Sequence, residues 1–117
     1  MKYEFISDNG ARFEMDIEAD KLMLNVIKVA ESLRKDKQPQ VWMNRRSVPG
    51  FLDLACKQMG CRADRLVHEV RKVDGTAELW LEAFVAMEYL KWADEKLAAW
   101  FAEKLNGLVS DGTIPCE

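Results

Sequence analysis

The chain has 117 residues and a net charge of −3. That length suits one domain able to bury about two-thirds of its unfolded surface, and no apolar run approaches the length of a membrane-spanning helix. The opening Met-Lys-Tyr-Glu-Phe lacks the apolar stretch of a signal peptide, so the expected compartment is the cytoplasm, with Cys56, Cys61 and Cys116 as free thiols.

In chain order, Tyr3 to Ile6 alternates apolar and polar and leads into Ser7-Asp8-Asn9-Gly10. Asn-Gly between alternating segments predicts a hairpin, since both residues tolerate positive φ. Phe13, Met15 and Ile17 share one face of the return strand, with Arg12, Glu14 and Asp16 on the other. A polar turn, Glu18-Ala-Asp-Lys21, leads to a third short strand at Leu22 to Leu24, completing an antiparallel meander. Asn25 then stands as N-cap of a short helix whose apolar face is Val26, Ile27, Val29, Ala30 and Leu33. Lys35 to Pro39 is a polar break, and Val41, Trp42 and Met43 begin a second short helix that exposes Asn44, Arg45 and Arg46. Two short helices, a tight connection and cations on the second form a helix-turn-helix-like pair.

Ser47 is the expected N-cap of the next helix, with Pro49 in its first turn, Phe51, Leu52, Leu54, Ala55 and Met59 at helical spacing, and Gly60 as its stop. Cys61 to Asp64 reads as a connection. Leu66 to Val73 fits strand or helix, and Asp74-Gly75 decides for a strand, returning through Ala77 to Leu81 as a wing-like hairpin with Arg71 and Lys72 near its tip. Ala83 to Leu108 is helical, broken at Ala93-Asp94 where Asp94 caps a second helix. Trp42, Trp92, Trp100 and Phe101 are expected in the core because their spacing is what packing needs. The predicted architecture is α+β: meander, helix-turn-helix-like pair, hairpin and C-terminal helical pair in one domain over residues 1–109, with 110–117 as a loose tail.

Charge is segregated along the chain. Residues 28–72 hold eleven basic residues against five acids, a balance of +6 that leaves −9 to the flanks. A basic surface in an acidic chain favours a polyanionic partner, and nucleic acid is the commonest. Catalysis has little support. The single histidine, His68, reads as a half-buried strand residue, no nucleophile–base spacing is present, and no glycine-rich phosphate loop occurs. Cys56, Cys61, His68 and Cys116 match no zinc spacing, so neither metal nor cofactor is expected.

Two blocks of residues carry a resemblance to a known family. One runs from Met23-Leu24-Asn25-Val26 to Leu33 and on to Val41-Trp42-Met43-Asn44-Arg45, Phe51 and Leu54; the other is Gly75-Thr76, Leu79 to Leu81, Ala86, Tyr89-Leu90, Trp92 and Leu97-Ala98-Ala99-Trp100. In order and spacing the chain resembles the KilA-N domain of phages and large DNA viruses, related to the fungal APSES domain. It departs from that pattern at Val26-Ile27, Leu81-Glu82 and Ala93-Asp94. The resemblance implies a phage-type domain that binds double-stranded DNA in the host cytoplasm, in transcriptional control or host takeover.

On that reading Asn44 and Arg45 are candidates for base edges, since Asn suits adenine and Arg guanine. Arg46, Lys35, Lys37, Arg71 and Lys72 would hold phosphates. The acidic flanks leave a second reading, the same fold binding a host protein as an inhibitor. A homodimer is compatible with either, and no membrane partner is expected.

Overall fold

Alternation along the strands decides which face of the sheet is buried. The computed structural model describes residues 2–18, 21–60, 62, 65–110 and 112. In β1 (Lys2–Ile6) and β2 (Arg12–Ile17) the paired residues Tyr3 with Met15 and Phe5 with Phe13 point inward. β3 (Leu22–Asn25) adds Leu24 beside Met15. The hairpin β4 (Val67–Arg71) and β5 (Ala77–Glu82) is not a free-standing ribbon: β5 pairs with β3, giving one antiparallel sheet in the order β1–β2–β3–β5–β4. Leu79 and Leu81 continue the buried face, and only the loop of the wing-like hairpin extends beyond the ladder.

Both predicted hairpins form, with a different loop from the one expected. Ser7 N–H donates to Ala11 O at 2.9 Å and Gly10 N–H to Ser7 O at 2.9 Å; Lys72 N–H donates to Thr76 O at 2.9 Å and Gly75 N–H to Lys72 O at 3.1 Å. Only the glycines take positive φ, 88° at both Gly10 and Gly75. This is the three-residue loop closed by a left-handed glycine, in which Asn9 and Asp74 stay in ordinary backbone conformations. Asp74 accepts both the N–H and the hydroxyl of Thr76, which hold its carboxyl below the usual range.

The helices follow with their ends shifted. α1 (Val26–Ala30) is capped by Asn25 as expected, Ile27 N–H donating to its side chain at 3.2 Å, but it stops short of Leu33. A 3₁₀ turn, Lys35–Lys37, fills the polar break. Gln38 explains the early stop: its amide is shared among the carbonyls of Ala30 at 2.9 Å, Leu33 at 3.2 Å and Arg34 at 3.2 Å, capping the end of α1 from outside the helix. Gln38→Ala is therefore expected to cost about 1 kcal/mol, since Leu33 O loses its donor while Ala30 O and Arg34 O still accept from Leu33 N–H and Lys37 N–H. A urea titration checks this.

Pro39 opens α2 (Pro39–Met43) instead of closing the break, because its missing N–H and fixed φ suit a first helical position. α2 ends at Met43, so Asn44, Arg45 and Arg46 form a connecting turn and are not on a helix. α3 (Ser47–Met59) starts at Ser47 itself; Arg46 is in the cap position and makes no side-chain capping bond, while Gly60 ends the helix at φ 64°. α4 (Ala83–Ala93) and α5 (Glu95–Ser110) break at Asp94, whose carboxylate accepts from Lys96 N–H at 2.9 Å. α5 reaches Ser110, one residue into the segment read as a tail. Cys61, Cys116, the Cys61–Asp64 connection apart from Arg62, the middle of the Glu18–Lys21 turn and most of the tail lie outside the described residues.

α4 packs on β3 and β5, and α5 packs on β2 through Phe13, whose ring lies 4.6 Å from Trp100 and 5.7 Å from Phe101. Of the four aromatics expected in the core, Trp42 and Phe101 are buried, whereas Trp92 and Trp100 are half-buried. His68 is exposed, not half-buried, because its strand β4 is at the edge of the sheet and the residue points away from the helices.

Glu14 ties α1 to β2, accepting from Lys28 Nζ at 2.6 Å and Asn25 Nδ2 at 3.4 Å. The Glu14 hydrogen bond raises the Lys28 pKa above the ordinary 10.5. A raised lysine value stabilises the fold at pH below 10.5, and this contribution is lost as pH climbs through the folded value. The stability difference between the parent and Lys28→Met should accordingly shrink in strong alkali, as read by denaturation at neutral and alkaline pH.

Candidate nucleic-acid interface

The structure gathers part of the basic middle segment onto one aromatic ring. Trp92, on the last turn of α4, has Lys37 Nζ 4.4 Å from its ring centroid and the Arg45 guanidinium carbon 5.2 Å away. Each such contact contributes about 0.5–1 kcal/mol at a partly exposed site. Lys37 is held twice more by α4: its ammonium donates to Trp92 O at 3.4 Å, and its own carbonyl accepts from the Tyr89 hydroxyl at 2.7 Å. A cation at a helix C-terminus is also favoured by the helix dipole. Tyr89 is buried, and burial pushes its phenol well above the usual range, so it stays a donor to Lys37 at physiological pH.

The reason this surface is rigid lies beneath it. Trp92, Tyr89, Trp42, Phe51 and Phe84 form a continuous series of rings, with successive centroids 6.2, 5.8, 6.4 and 5.6 Å apart. Edge and stacked contacts at these distances fix α2, the turn after it and α3 against α4. The 3₁₀ turn and the α2–α3 turn are thereby presented together beside the end of α4.

The predicted site residues divide into two groups. Lys35, Lys37, Asn44, Arg45 and Arg46 belong to these two neighbouring turns; Lys35, Asn44 and Arg46 are exposed, and their side chains make no hydrogen bond or ion pair among the described residues. Arg71 and Lys72 belong to the β4–β5 hairpin, where Arg71 Nε lies 2.8 Å from Glu69 and Lys72 Nζ lies 3.2 Å from Glu78. The pair read as helix-turn-helix-like, α1 and α2, does not have the tight connection expected of it. The short turn of three residues joins α2 to α3, while α1 and α2 are separated by the 3₁₀ turn and a longer connection.

Sequence reasoning missed Trp92, which it read as core. It also missed Arg34, which shares the 3₁₀ turn and pairs with Asp36 at 3.1 Å in the open. Lys37 and Trp92 are 55 positions apart, so no local pattern links them.

The other candidate chemistry has less to stand on. A hollow of about 360 Å³ on the uncovered face of the sheet is lined by Lys2, Asp16, Lys21, His68, Glu78 and Trp80, where ammonium and carboxylate groups of both signs are mixed. Among the described residues no group of His, Cys, Asp and Glu is arranged to hold a metal ion. No described helix is long and apolar enough to cross a membrane. Comparison of the chain with protein-family models, with curated proteins and with solved structures gave no match.

Proposed function

We propose that this protein binds double-stranded DNA in the cytoplasm as a regulator of transcription or of host takeover, with the α2–α3 turn as its point of contact. The observation that carries the reading is the cation cluster: Lys37 and Arg45 held on Trp92, with Lys35 and Arg46 exposed beside them, in a chain of net charge −3. The contacts with Trp92 hold Lys37 and Arg45 in place before any partner arrives, which lowers the ordering cost of binding.

The roles differ in detail from a helix inserted along its length. Arg45 lies against Trp92, and its outer N–H edge suits a phosphate oxygen. Asn44 beside it is free to turn toward a base edge, and Arg46 toward a further phosphate. The amide end of α3, uncapped by any side chain, opens from the same turn and adds a favourable dipole toward phosphate. Arg71 and Lys72 would reach the backbone from the hairpin only by giving up their carboxylate partners, so they rank below the turn.

The test is fluorescence anisotropy of a labelled random-sequence duplex titrated with the protein across a salt series. Four phosphate contacts, from Lys35, Lys37, Arg45 and Arg46, predict a log–log slope of about −3 to −4. No binding at low salt would overturn the reading, and a flat salt dependence would remove the phosphate contacts from it.

A further inference from the structure

The exposed side of α3 is left unused by the DNA contact just described. The helix turns Val48 and Ala55 fully inward, with Phe51, Leu52 and Cys56 half-buried beside them. Its outward side carries Asp53, Leu54 and Lys57. Leu54 is 56 % exposed, and Phe84 of α4, whose ring stacks 5.6 Å from Phe51, is 46 % exposed. Asp53 and Lys57 are exposed and make no ion pair among the described residues. This face is a poor groove reader, because Asp53 would meet phosphate with its own negative charge. An apolar centre flanked by one acid and one base has no net charge, so it selects neither a strongly acidic nor a strongly basic partner.

We propose that this face pairs with α3 of a second copy, the two helices lying antiparallel about a two-fold axis level with Ala55. Charge complementarity argues for that occupant. An antiparallel crossing there puts Asp53 of each copy opposite Lys57 of the other, twice by symmetry. Leu54 lies one residue from the axis, about 1.5 Å along the helix, so the two leucines meet at the centre. Phe84 extends the apolar contact from α4. A helix of 13 residues offers less than the roughly 800 Å² per partner of a stable complex, so the pairing is weak, with a dissociation constant on the order of 100 μM. The Trp92 cation cluster lies off this face, at the other end of the ring series, and stays open in the dimer.

Sedimentation equilibrium of the full chain without DNA tests the pairing independently of the DNA reading. The parent should pass from monomer toward dimer as its concentration rises through that range. Asp53→Lys and Lys57→Asp should each weaken the dimer about tenfold, since each turns two attractions into two repulsions. The double variant carrying both changes should return to the parent's affinity, because the pairs re-form with their signs exchanged. Leu54→Asn should weaken association with unchanged circular dichroism, the position being exposed. A parent that stays monomeric throughout overturns the proposal and leaves the face to a different chain. A dimer that ignores the charge reversals also overturns it, since association then uses another surface.

Discussion

Phe101→Ala is expected to remove a large share of the protein's stability. Phe101 is fully buried and stacks 5.7 Å from Phe13, the ring that joins α5 to β2. Truncating such a ring costs about 3–5 kcal/mol, against a total stability of about 5–15 kcal/mol for a domain. The neighbouring Trp100 makes a closer ring contact with Phe13, 4.6 Å, yet it is half-buried and part of its surface is already in water. Trp100→Ala should cost less, about 1–3 kcal/mol. Urea titrations of both variants measure the difference. Equal losses would mean that the two rings act as one packed unit across α5, with no advantage to the buried one.

Arg45→Gln combined with Arg46→Gln is expected to give the largest functional loss. Both residues are exposed, so the fold should survive; the lost contact of Arg45 with Trp92 amounts to about 0.5–1 kcal/mol. Losing two phosphate contacts should weaken binding about equally across sequences and flatten the salt slope by about two units. Lys96→Gln with Lys104→Gln is the matched control. It removes the same charge from α5, where Lys104 lies 4.0 Å over Phe5 and Lys96 lines a hollow shared with Asn9 of the β1–β2 loop. A control that weakens binding equally would reduce the interaction to diffuse electrostatics. A control that binds like the parent, beside a crippled arginine pair, would locate the contact at the α2–α3 turn.

Local patterns determined most of the elements. Period-two alternation in Arg12–Ile17 set the buried face of β2, and the Asn25 cap, the Asp94 cap and the Gly60 stop each act within one turn of helix. The Asn-Gly and Asp-Gly pairs located both hairpins, since a left-handed glycine is a local need, although the loop type depended on the strand register. Helix ends were less legible. Pro39 reads equally as the end of a break or the first residue of a helix, and Gln38 closes α1 through carbonyls up to eight positions away.

Tertiary structure alone decided the rest. Whether the second hairpin stood alone or joined the meander depended on β3 pairing with β5, across more than fifty residues of chain. Whether an aromatic at helical spacing was buried depended on what lay opposite: Tyr89 meets Trp42 and is enclosed, while Trp92 meets Lys37 and Arg45 and stays partly open. Composition along the chain announced a basic middle segment. Folding then divided it, pairing Arg71 and Lys72 with Glu69 and Glu78 while gathering Lys37 and Arg45 on one ring. A cap or a turn depends on neighbours in sequence, whereas a charge cluster depends on which distant backbones the core brings side by side.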